Sequence, residues 1–319
     1  MKKLFRITGI VLGALVLIIA AVATIISIRG IPKYEVNVPP VQAIELTPGR
    51  IARGEKIAGM LCRNCHYNES TGKLSGKEMT DVPQFGKIYA RNITQDREAG
   101  IGKWTDAEII YLIRTGVHPH TGQYIPPYMA KLMHISDEDL RSVVAYLRSD
   151  RPEVQADKTI QPATQPTFLT KMLSTVVFKP LPYPEKEIPP PDTTDQIAWG
   201  KYLALYQIEC FTCHSGDFAK MDVATPEKSF KFFGGGNVML GQDGKPVVTL
   251  NLTPDEETGI GKWTDEQFIK ALKSGIVPSG PALRYPMMPY YQLTDEEAKA
   301  IYAYLRTIPP VKNKIERQF

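Results

Sequence analysis

The chain has 319 residues, of which 43% are apolar and 23% are charged, so its composition is that of a globular protein rather than a disordered one. The formal net charge is +4, and residues 1–30 carry four basic side chains and no acid, so the remainder of the chain is neutral overall. This balance gives no electrostatic support to nucleic-acid binding, and the length suggests about two domains.

The first predicted element is an apolar helix near the N-terminus. Residues 7–28 form a run of 22 uncharged positions flanked by basic residues. A helix needs about 20 such residues to span a bilayer, whereas the apolar region of a signal peptide has about 7 to 15. We therefore expect residues 1–30 to be an uncleaved anchor in the inner membrane, the alternative being a signal removed after Ala21-Val22-Ala23. The heavier positive charge before the run predicts a cytoplasmic N-terminus, with the other domains in the bacterial periplasm.

Two copies of a C-x-x-C-H motif use all four cysteines of the chain. The copies are Cys62-Arg63-Asn64-Cys65-His66 and Cys210-Phe211-Thr212-Cys213-His214. This spacing is typical of covalent haem attachment, because two thiols bond to the two vinyl groups of one haem while the adjacent imidazole ligates the iron. The motifs predict two covalently attached haem c groups. The attachment residues are Cys62, Cys65, Cys210 and Cys213, and the iron ligands are His66 and His214.

Other uses of paired cysteines fit the sequence less well. A four-cysteine zinc ribbon has its pairs about 15 to 20 residues apart, whereas 144 residues separate Cys65 from Cys210. A thioredoxin-like dithiol has no histidine after its second cysteine, and structural disulfides would explain neither histidine.

The segments around the two motifs indicate that one predicted domain occurs twice. Residues 92–94 and 100–106 are matched by residues 251–253 and 259–265, and residues 145–148 are matched by residues 303–306. Each copy is predicted to be helical, so the expected fold class is all-α, with two tandem domains behind an N-terminal membrane helix. The predicted boundaries are 1–30 for the anchor, 45–150 and 192–310 for the two domains, and 151–191 for a proline-rich, extended connector.

Each copy contains an opening, a middle and a closing helix. The opening helix, predicted over residues 51–62 or 196–210, leads into the C-x-x-C-H motif. Gly54 and Gly200 near its start predict a close crossing by another helix, the alternative being a frayed helix start. Capping boxes predict where the other helices begin: the middle helix at Thr105 or Thr264, and the closing helix at Ser136 or Thr294.

Two further elements are predicted between these helices. In the connector, residues 168–178 could form one short helix. The second copy has extra residues before Asn251, including Gly234-Gly235-Gly236 and Asp243-Gly244, which predict a loop or hairpin. We expect the closing helix of each copy to pack across the opening one.

With these motifs in place, the chain resembles the class I cytochrome c superfamily, and more closely the membrane-anchored di-haem c-type cytochromes of bacteria. That group includes cytochrome subunits that accept electrons from periplasmic dehydrogenases. The resemblance covers residues 45–150 and 192–310, and it leaves out the anchor and the connector.

The resemblance implies that a methionine in the loop before each closing helix is the sixth iron ligand. In the first copy this is Met129, with Met133, His118 and His120 as competitors. In the second copy Met287 stands seven residues before Thr294, as Met129 stands seven before Ser136, whereas Met288 is followed by Pro289; both remain candidates. The resemblance also implies that four residues lie close to the haems and their propionates, namely Trp104, Trp263, Asn92 and Asn251.

The function that follows is electron transfer rather than catalysis. Iron with both axial positions filled cannot bind substrate, so two such haems would relay single electrons between redox partners, such as a dehydrogenase donor and an oxidase or cytochrome acceptor. The alternative is a haem enzyme, of the di-haem peroxidase or dehydrogenase type, with one open or displaceable axial position. The cluster of His118, His120 and His134 near Met129 in the sequence is the feature that leaves room for it.

Overall fold

The computed structural model describes residues 2–316, and in that part of the chain one helix is long and apolar enough to cross a membrane. This helix, α1 (Lys2–Arg29), has 28 residues, none of which is buried. An apolar helix of a water-soluble fold packs its surface into a core. The exposed apolar surface of α1 is therefore consistent with the predicted anchor.

The helices of the first repeat begin and end close to where the sequence predicts. They are α2 (Pro48–Leu61), α3 (Arg63–His66), α4 (Asp106–Thr115) and α5 (Asp137–Leu147). Thr105 and Glu108 form the expected capping box, and Gly116 ends α4 with a φ of 74°, which favours glycine. Ser136 caps α5, but the reciprocal bond predicted from Asp139 is missing, because its carboxylate binds Arg53 and another side chain instead.

The helices of the second repeat follow the same order after one helix in the connector. The connector helix is α6 (Phe168–Val176), and the others are α7 (Gln196–Tyr202), α8 (Cys210–His214), α9 (Asp265–Ser274) and α10 (Asp295–Leu305). Both predicted capping boxes, at Thr264 and Thr294, are present.

The prediction of one continuous opening helix over residues 196–210 was wrong. Residues Leu203–Gln207 form a π-helical turn, and Glu209 has a φ of 58°. The reason is visible in the spacing, since Gly54 precedes Cys62 by eight residues whereas Gly200 precedes Cys210 by ten. A wider turn accommodates the additional residues without moving either end of the helix.

Short strands accompany the helices, so the all-α prediction describes the main elements of both repeats but not every segment. The strands are β1 (Glu78–Met79), β2 (Gly86–Tyr89), β3 (Gln165–Pro166), β4 (Val238–Leu240) and β5 (Pro246–Val248). Strands β1, β2 and β3 form an antiparallel sheet in that order, with Gly86 opposite Pro166. Strands β4 and β5 form the hairpin predicted before Asn251.

The connector folds onto the first repeat instead of extending between the two. It contributes β3 to the sheet of the first repeat and buries Val154 completely. The Thr170 hydroxyl on α6 donates to the carbonyl of Phe85 at 3.0 Å, and the Leu181 N–H donates to the carbonyl of Thr115 at 3.1 Å. The short helix predicted here is confirmed.

The closing helix of each repeat crosses the opening helix at a glycine, as predicted. A Cβ atom at Gly54 would overlap the carbonyl of Ser142 on α5, and one at Gly200 would overlap the carbonyl of Ala300 on α10. Because only hydrogen occupies these positions, the two backbones come into direct contact. The crossing holds the end of the opening helix, and with it the C-x-x-C-H motif, against the rest of its repeat.

The two repeats pack against each other through equivalent positions. Lys56, two residues after Gly54, binds the carboxylate of Glu297, and Tyr202, two residues after Gly200, donates its hydroxyl to Asp139. Asp139 and Glu297 are both the third residue of a closing helix. The contacts are thus related by an approximate two-fold axis, and the buried apolar residues of both repeats form one continuous core.

We expect Gly54→Ala to lower the free energy of unfolding by about 1–3 kcal/mol, because the added methyl group meets a backbone carbonyl that cannot move alone. Gly49→Ala, in the same helix, is the matched control, since a Cβ there meets nothing within 4 Å. Denaturant unfolding of the two variants measures the difference. Equal stability of the two would contradict the close crossing.

Candidate haem-binding sites

The cysteines of each motif lie on one helical turn at the end of an opening helix. Cys65 and His66 lie on α3, and the His66 N–H donates to the carbonyl of Cys62 at 2.9 Å. Residues three apart on a helical turn face the same side, so both thiols of a motif can reach one group. Burial raises the pKa of the Cys62 and Cys210 thiols to about 12, which keeps them protonated.

These properties do not fit the other uses of paired cysteines. All four cysteines are free, so no disulfide connects them. Within residues 2–316, no three His, Cys, Asp or Glu side chains are grouped closely enough to hold a metal ion such as zinc. A reactive dithiol has a lowered thiol pKa, whereas burial raises the pKa of these thiols.

The histidine of each motif is held by a backbone carbonyl from the same position of each repeat. Nδ1 of His66 lies 2.7 Å from the carbonyl oxygen of Arg91, and Nδ1 of His214 lies 2.8 Å from that of Leu250. A carbonyl only accepts, so Nδ1 carries the proton and Nε2 keeps its lone pair for a metal. Burial lowers the pKa of both imidazoles, which favours the neutral form that ligates iron.

The residue after each of these carbonyls is the asparagine of the repeated motif. The Asn92 side-chain oxygen accepts the N–H of Thr94 at 2.9 Å, and its amide donates to the carbonyls of Asp157 and Thr159 at 2.7 and 3.0 Å. Asn251 makes the same contact with Thr253, and its amide donates to the carbonyl of Val311 at 2.7 Å.

Both amides are therefore used inside the protein, where they fix the backbone next to the carbonyls that hold His66 and His214. The proximity of these asparagines to the haems and their propionates stays a prediction. Sequence reasoning missed this role, although its signal was present, since the asparagine and threonine recur two residues apart in both repeats.

Trp104 and Trp263 are half-buried at the start of α4 and α9. The Trp104 ring packs against the rings of His118 and His120, with centroids 4.9 and 5.1 Å apart. His120 is exposed and lies 3.0 Å from Glu108. His118 is half-buried, and burial lowers its pKa.

The third histidine near Met129 in the sequence is also engaged elsewhere. Nε2 of His134 lies 3.0 Å from the carbonyl oxygen of Ala224, which belongs to the second repeat. With His118 and His120 packed against Trp104, all three histidines have other partners. The haem-enzyme alternative thus gains no support from this loop.

The methionine loops of the two repeats share three backbone hydrogen bonds. The Met129 N–H donates to Pro126 at 3.2 Å, as the Met287 N–H donates to Arg284 at 3.0 Å. Each loop makes two further hydrogen bonds to the middle helix of its repeat or to the residue that ends this helix. One comes from the residue four positions before the methionine and the other from the residue three positions after it. These bonds are Ile125 to Gly116 and Leu132 to Ile113 in the first repeat, and Leu283 to Gly275 and Tyr290 to Leu272 in the second.

This register makes Met287, and not Met288, the structural equivalent of Met129. Met287 packs against the core, whereas Met288 is 43% exposed. Met129 is half-buried in its own loop. The donor set of each repeat is therefore two free thiols, a neutral imidazole with an available Nε2 and a loop methionine, which fits a covalently attached haem.

Two buried basic side chains hold the first methionine loop, and the equivalent positions of the second loop carry residues with other contacts. The fully buried Arg114 donates to the carbonyls of Leu132, Met133 and Ile135 at 2.7–3.0 Å and pairs with Asp137 at 3.0 Å. Lys131 is also buried and donates to the carbonyl of Pro126 at 2.8 Å.

In the second repeat, the equivalent positions are Lys273, which pairs with Asp295 at the surface, and Pro289. The first loop is therefore held by side-chain hydrogen bonds on both sides of its methionine. The second loop lacks these bonds at the corresponding positions. Sequence reasoning did not single out Arg114, because an arginine in an amphipathic helix is normally exposed.

The duplicated donor sets, each on a helical repeat, are those of a c-type cytochrome. The chain belongs to the cytochrome c family, which matches residues 51–150 and 201–309. It is 30% identical over 264 residues to the cytochrome c subunit of an alcohol dehydrogenase (quinone) from Gluconacetobacter polyoxogenes, covering 78% of this chain and 54% of that protein.

Two further relatives are also cytochromes. The fructose dehydrogenase cytochrome subunit of Gluconobacter japonicus is 27% identical over 308 residues, covering 91% of this chain and 58% of that subunit. A diheme c-type cytochrome of Cereibacter sphaeroides is 27% identical over 277 residues, covering 83% of this chain and 88% of that protein. The chain thus spans about half the length of the dehydrogenase subunits that it matches.

We expect Asn92→Ala to raise the reduction potential of the first haem alone. Loss of the asparagine releases the backbone that carries the Arg91 carbonyl, and a weaker hydrogen bond makes His66 a poorer donor to oxidised iron. The buried groups left unpaired should lower the free energy of unfolding by about 1–3 kcal/mol. Redox titration followed by absorption measures the potentials, with Asn251→Ala as the counterpart for the second haem. A changed reduction potential of the second haem in the Asn92 variant, or of neither haem, would contradict the role of Asn92 in positioning the Arg91 carbonyl.

Proposed function

We propose that the chain is a di-haem electron carrier whose two sites relay single electrons. Haem c supplies reversible one-electron chemistry at its iron when bound, and the protein contributes ligation, burial and orientation. The observation that carries the proposal is the duplicated donor set, in which each imidazole is held at Nδ1 and left available at Nε2. The proposed residues are Cys62, Cys65, His66 and Met129 for the first haem, and Cys210, Cys213, His214 and Met287 for the second.

The backbone register supports Met287 rather than Met288 in this proposal. If a methionine of each repeat held the iron, the two loops would present it from equivalent backbone positions. Met287 makes the same turn as Met129, whereas Met288 lies one residue further on and is exposed. The predicted proximity of Trp104 and Trp263 to the haems stays part of this proposal.

The interface between the repeats supports a relay rather than two independent carriers. On one side, the Tyr285 hydroxyl of the second methionine loop donates to Asp81 of the first repeat, and burial and this carboxylate raise the pKa of the Cys65 thiol. On the other side, burial lowers the pKa of Lys131 in the first loop to about 7 and raises that of Glu209, the residue before Cys210, to about 8, and each side chain opposes the shift of the other. Each methionine loop therefore lies near the attachment turn of the other repeat, an arrangement that would keep the two haems close.

The proposed setting is the periplasmic face of the inner membrane, with α1 as the anchor. The relatives named above are cytochrome subunits of alcohol and fructose dehydrogenases. By likeness to them, we propose a periplasmic dehydrogenase as the electron donor and a membrane oxidase or another cytochrome as the acceptor. The chain itself would carry electrons and not bind the organic substrate.

Three methionine variants test the axial ligands. Met129→Ala and Met287→Ala should each convert one low-spin haem into a site that binds added cyanide or imidazole, because the sixth position becomes open. Met288→Ala is the matched control and should leave both haems unchanged. Absorption and electron paramagnetic resonance spectra distinguish the outcomes. Ligand binding by the Met288 variant, or an unchanged Met287 variant, would contradict the assignment.

Removal of one attachment site tests the relay. Cys62→Ala together with Cys65→Ala should leave one covalent haem per chain, which intact-protein mass measures. Electron flow from a dehydrogenase to an acceptor should then fall steeply while the spectrum of the remaining haem is retained, because the path loses one of its two redox centres. Unchanged haem content would end the haem assignment, and unchanged electron flow would end the relay alone.

A further inference from the structure

The connector helix α6 has its polar side chains inside and its apolar side chains outside. Thr170 and Ser174 are buried, whereas Phe168, Leu169, Val176 and Val177 are 44–62% exposed. A helix on the surface of a water-soluble protein shows the opposite distribution. A contiguous apolar face of this kind marks contact with something other than water.

Hydrogen bonds to the first repeat fix this orientation. The Thr167 side chain caps α6 by accepting the N–H of Thr170 at 3.2 Å, and its hydroxyl donates to the carbonyl of Gln84 at 3.0 Å. The Thr170 hydroxyl donates to the carbonyl of Phe85 at 3.0 Å. The polar face of α6 therefore contacts residues 83–85, and its apolar face points away from the first repeat.

One neighbour of α6 is the end of the apolar helix α1. Lys171 of α6 donates to the carbonyl of Ser27 at 3.3 Å, and the two helices pack against each other. Ala23 and Ile26 are half-buried, in contrast to most of α1, whose residues are exposed. Helix α6 thus lies beside the last turn of α1, where the predicted span ends at Arg29.

We propose that α6 and the following Val177 lie in the membrane surface as a second contact with the lipid bilayer. The apolar face would enter the boundary between headgroups and acyl chains, and Lys171 and Lys179 would reach lipid phosphates at its edge. This inference rests on the proposed anchoring by α1, since the depth of α6 follows from its place beside Ser27. Because α6 is attached to the first repeat, the contact would fix how that repeat faces the membrane.

The test compares two exposed valines in the full-length holoprotein. Because the native cysteines carry the haems in the proposed protein, Val177→Cys and Val238→Cys each add one free thiol, at sites of nearly equal exposure, 58% and 57%. The protein is placed in nanodiscs of phosphatidylcholine and phosphatidylglycerol and treated with a water-soluble maleimide. Each labelling rate is normalised to the rate in urea.

We expect the thiol at position 177 to react about tenfold more slowly than the one at position 238, because lipid covers it. Val176→Cys should be labelled as slowly as Val177→Cys, which would show that the slow rate does not come from a local structural change in one variant. Equal rates in nanodiscs would overturn the proposal. Protection seen in native membranes but not in nanodiscs would also overturn it, in favour of a protein partner on α6.

The anchor and the haem sites are tested separately. A chain that does not incorporate into nanodiscs would overturn the anchoring and this inference together, while its spectra would still report on the haems. A chain that incorporates but labels equally at both positions would overturn the role of α6 alone.

Discussion

The close crossing of opening and closing helices holds the attachment turn and the methionine loop of each repeat in place. At Gly54 and Gly200 the backbone of one helix rests against a carbonyl of the other, so neither helix can slide or rotate. The opening helix carries the attachment turn at its end, and the closing helix receives the methionine loop at its start. The position of the attachment turn relative to the methionine loop of its repeat therefore depends on a contact in which no side chain intervenes.

The elements that depend on local sequence could be predicted, and those that depend on distant contacts could not. Caps at Thr105, Thr264 and Thr294 were predictable because each satisfies backbone groups within its own first turn. The capping box at Ser136 was not formed, because Asp139 has partners in another helix and in the other repeat. The π-helical turn before Cys210 follows from two additional residues between Gly200 and Cys210. Their number can be read from the sequence, but their location depends on where the closing helix crosses the opening one.

In the candidate sites, too, features of local sequence could be predicted, whereas features that depend on distant contacts could not. The cysteines and histidines were given by their spacing, whereas the carbonyls that hold the imidazoles belong to residues with no chemical signature of their own. Which of Met287 and Met288 is structurally equivalent to Met129 was open in the sequence, because the register of the loop depends on its hydrogen bonds to α9 and to Gly275, the residue that ends this helix. Arg114 and Lys131 were not predicted, because their burial is created by the fold.

The reciprocal contacts between the repeats also have a meaning for the origin of the chain. Fusion of two subunits of a symmetric dimer produces an interface in which each contact occurs twice, once in each direction. Here the two versions have diverged, one into an ion pair between Lys56 and Glu297 and the other into a hydrogen bond between Tyr202 and Asp139. The two repeats thus keep the reciprocal positions of a homodimer interface, while the side chains at those positions have diverged. Each half of a duplicated chain can change its own side of the interface without the same change in the other half.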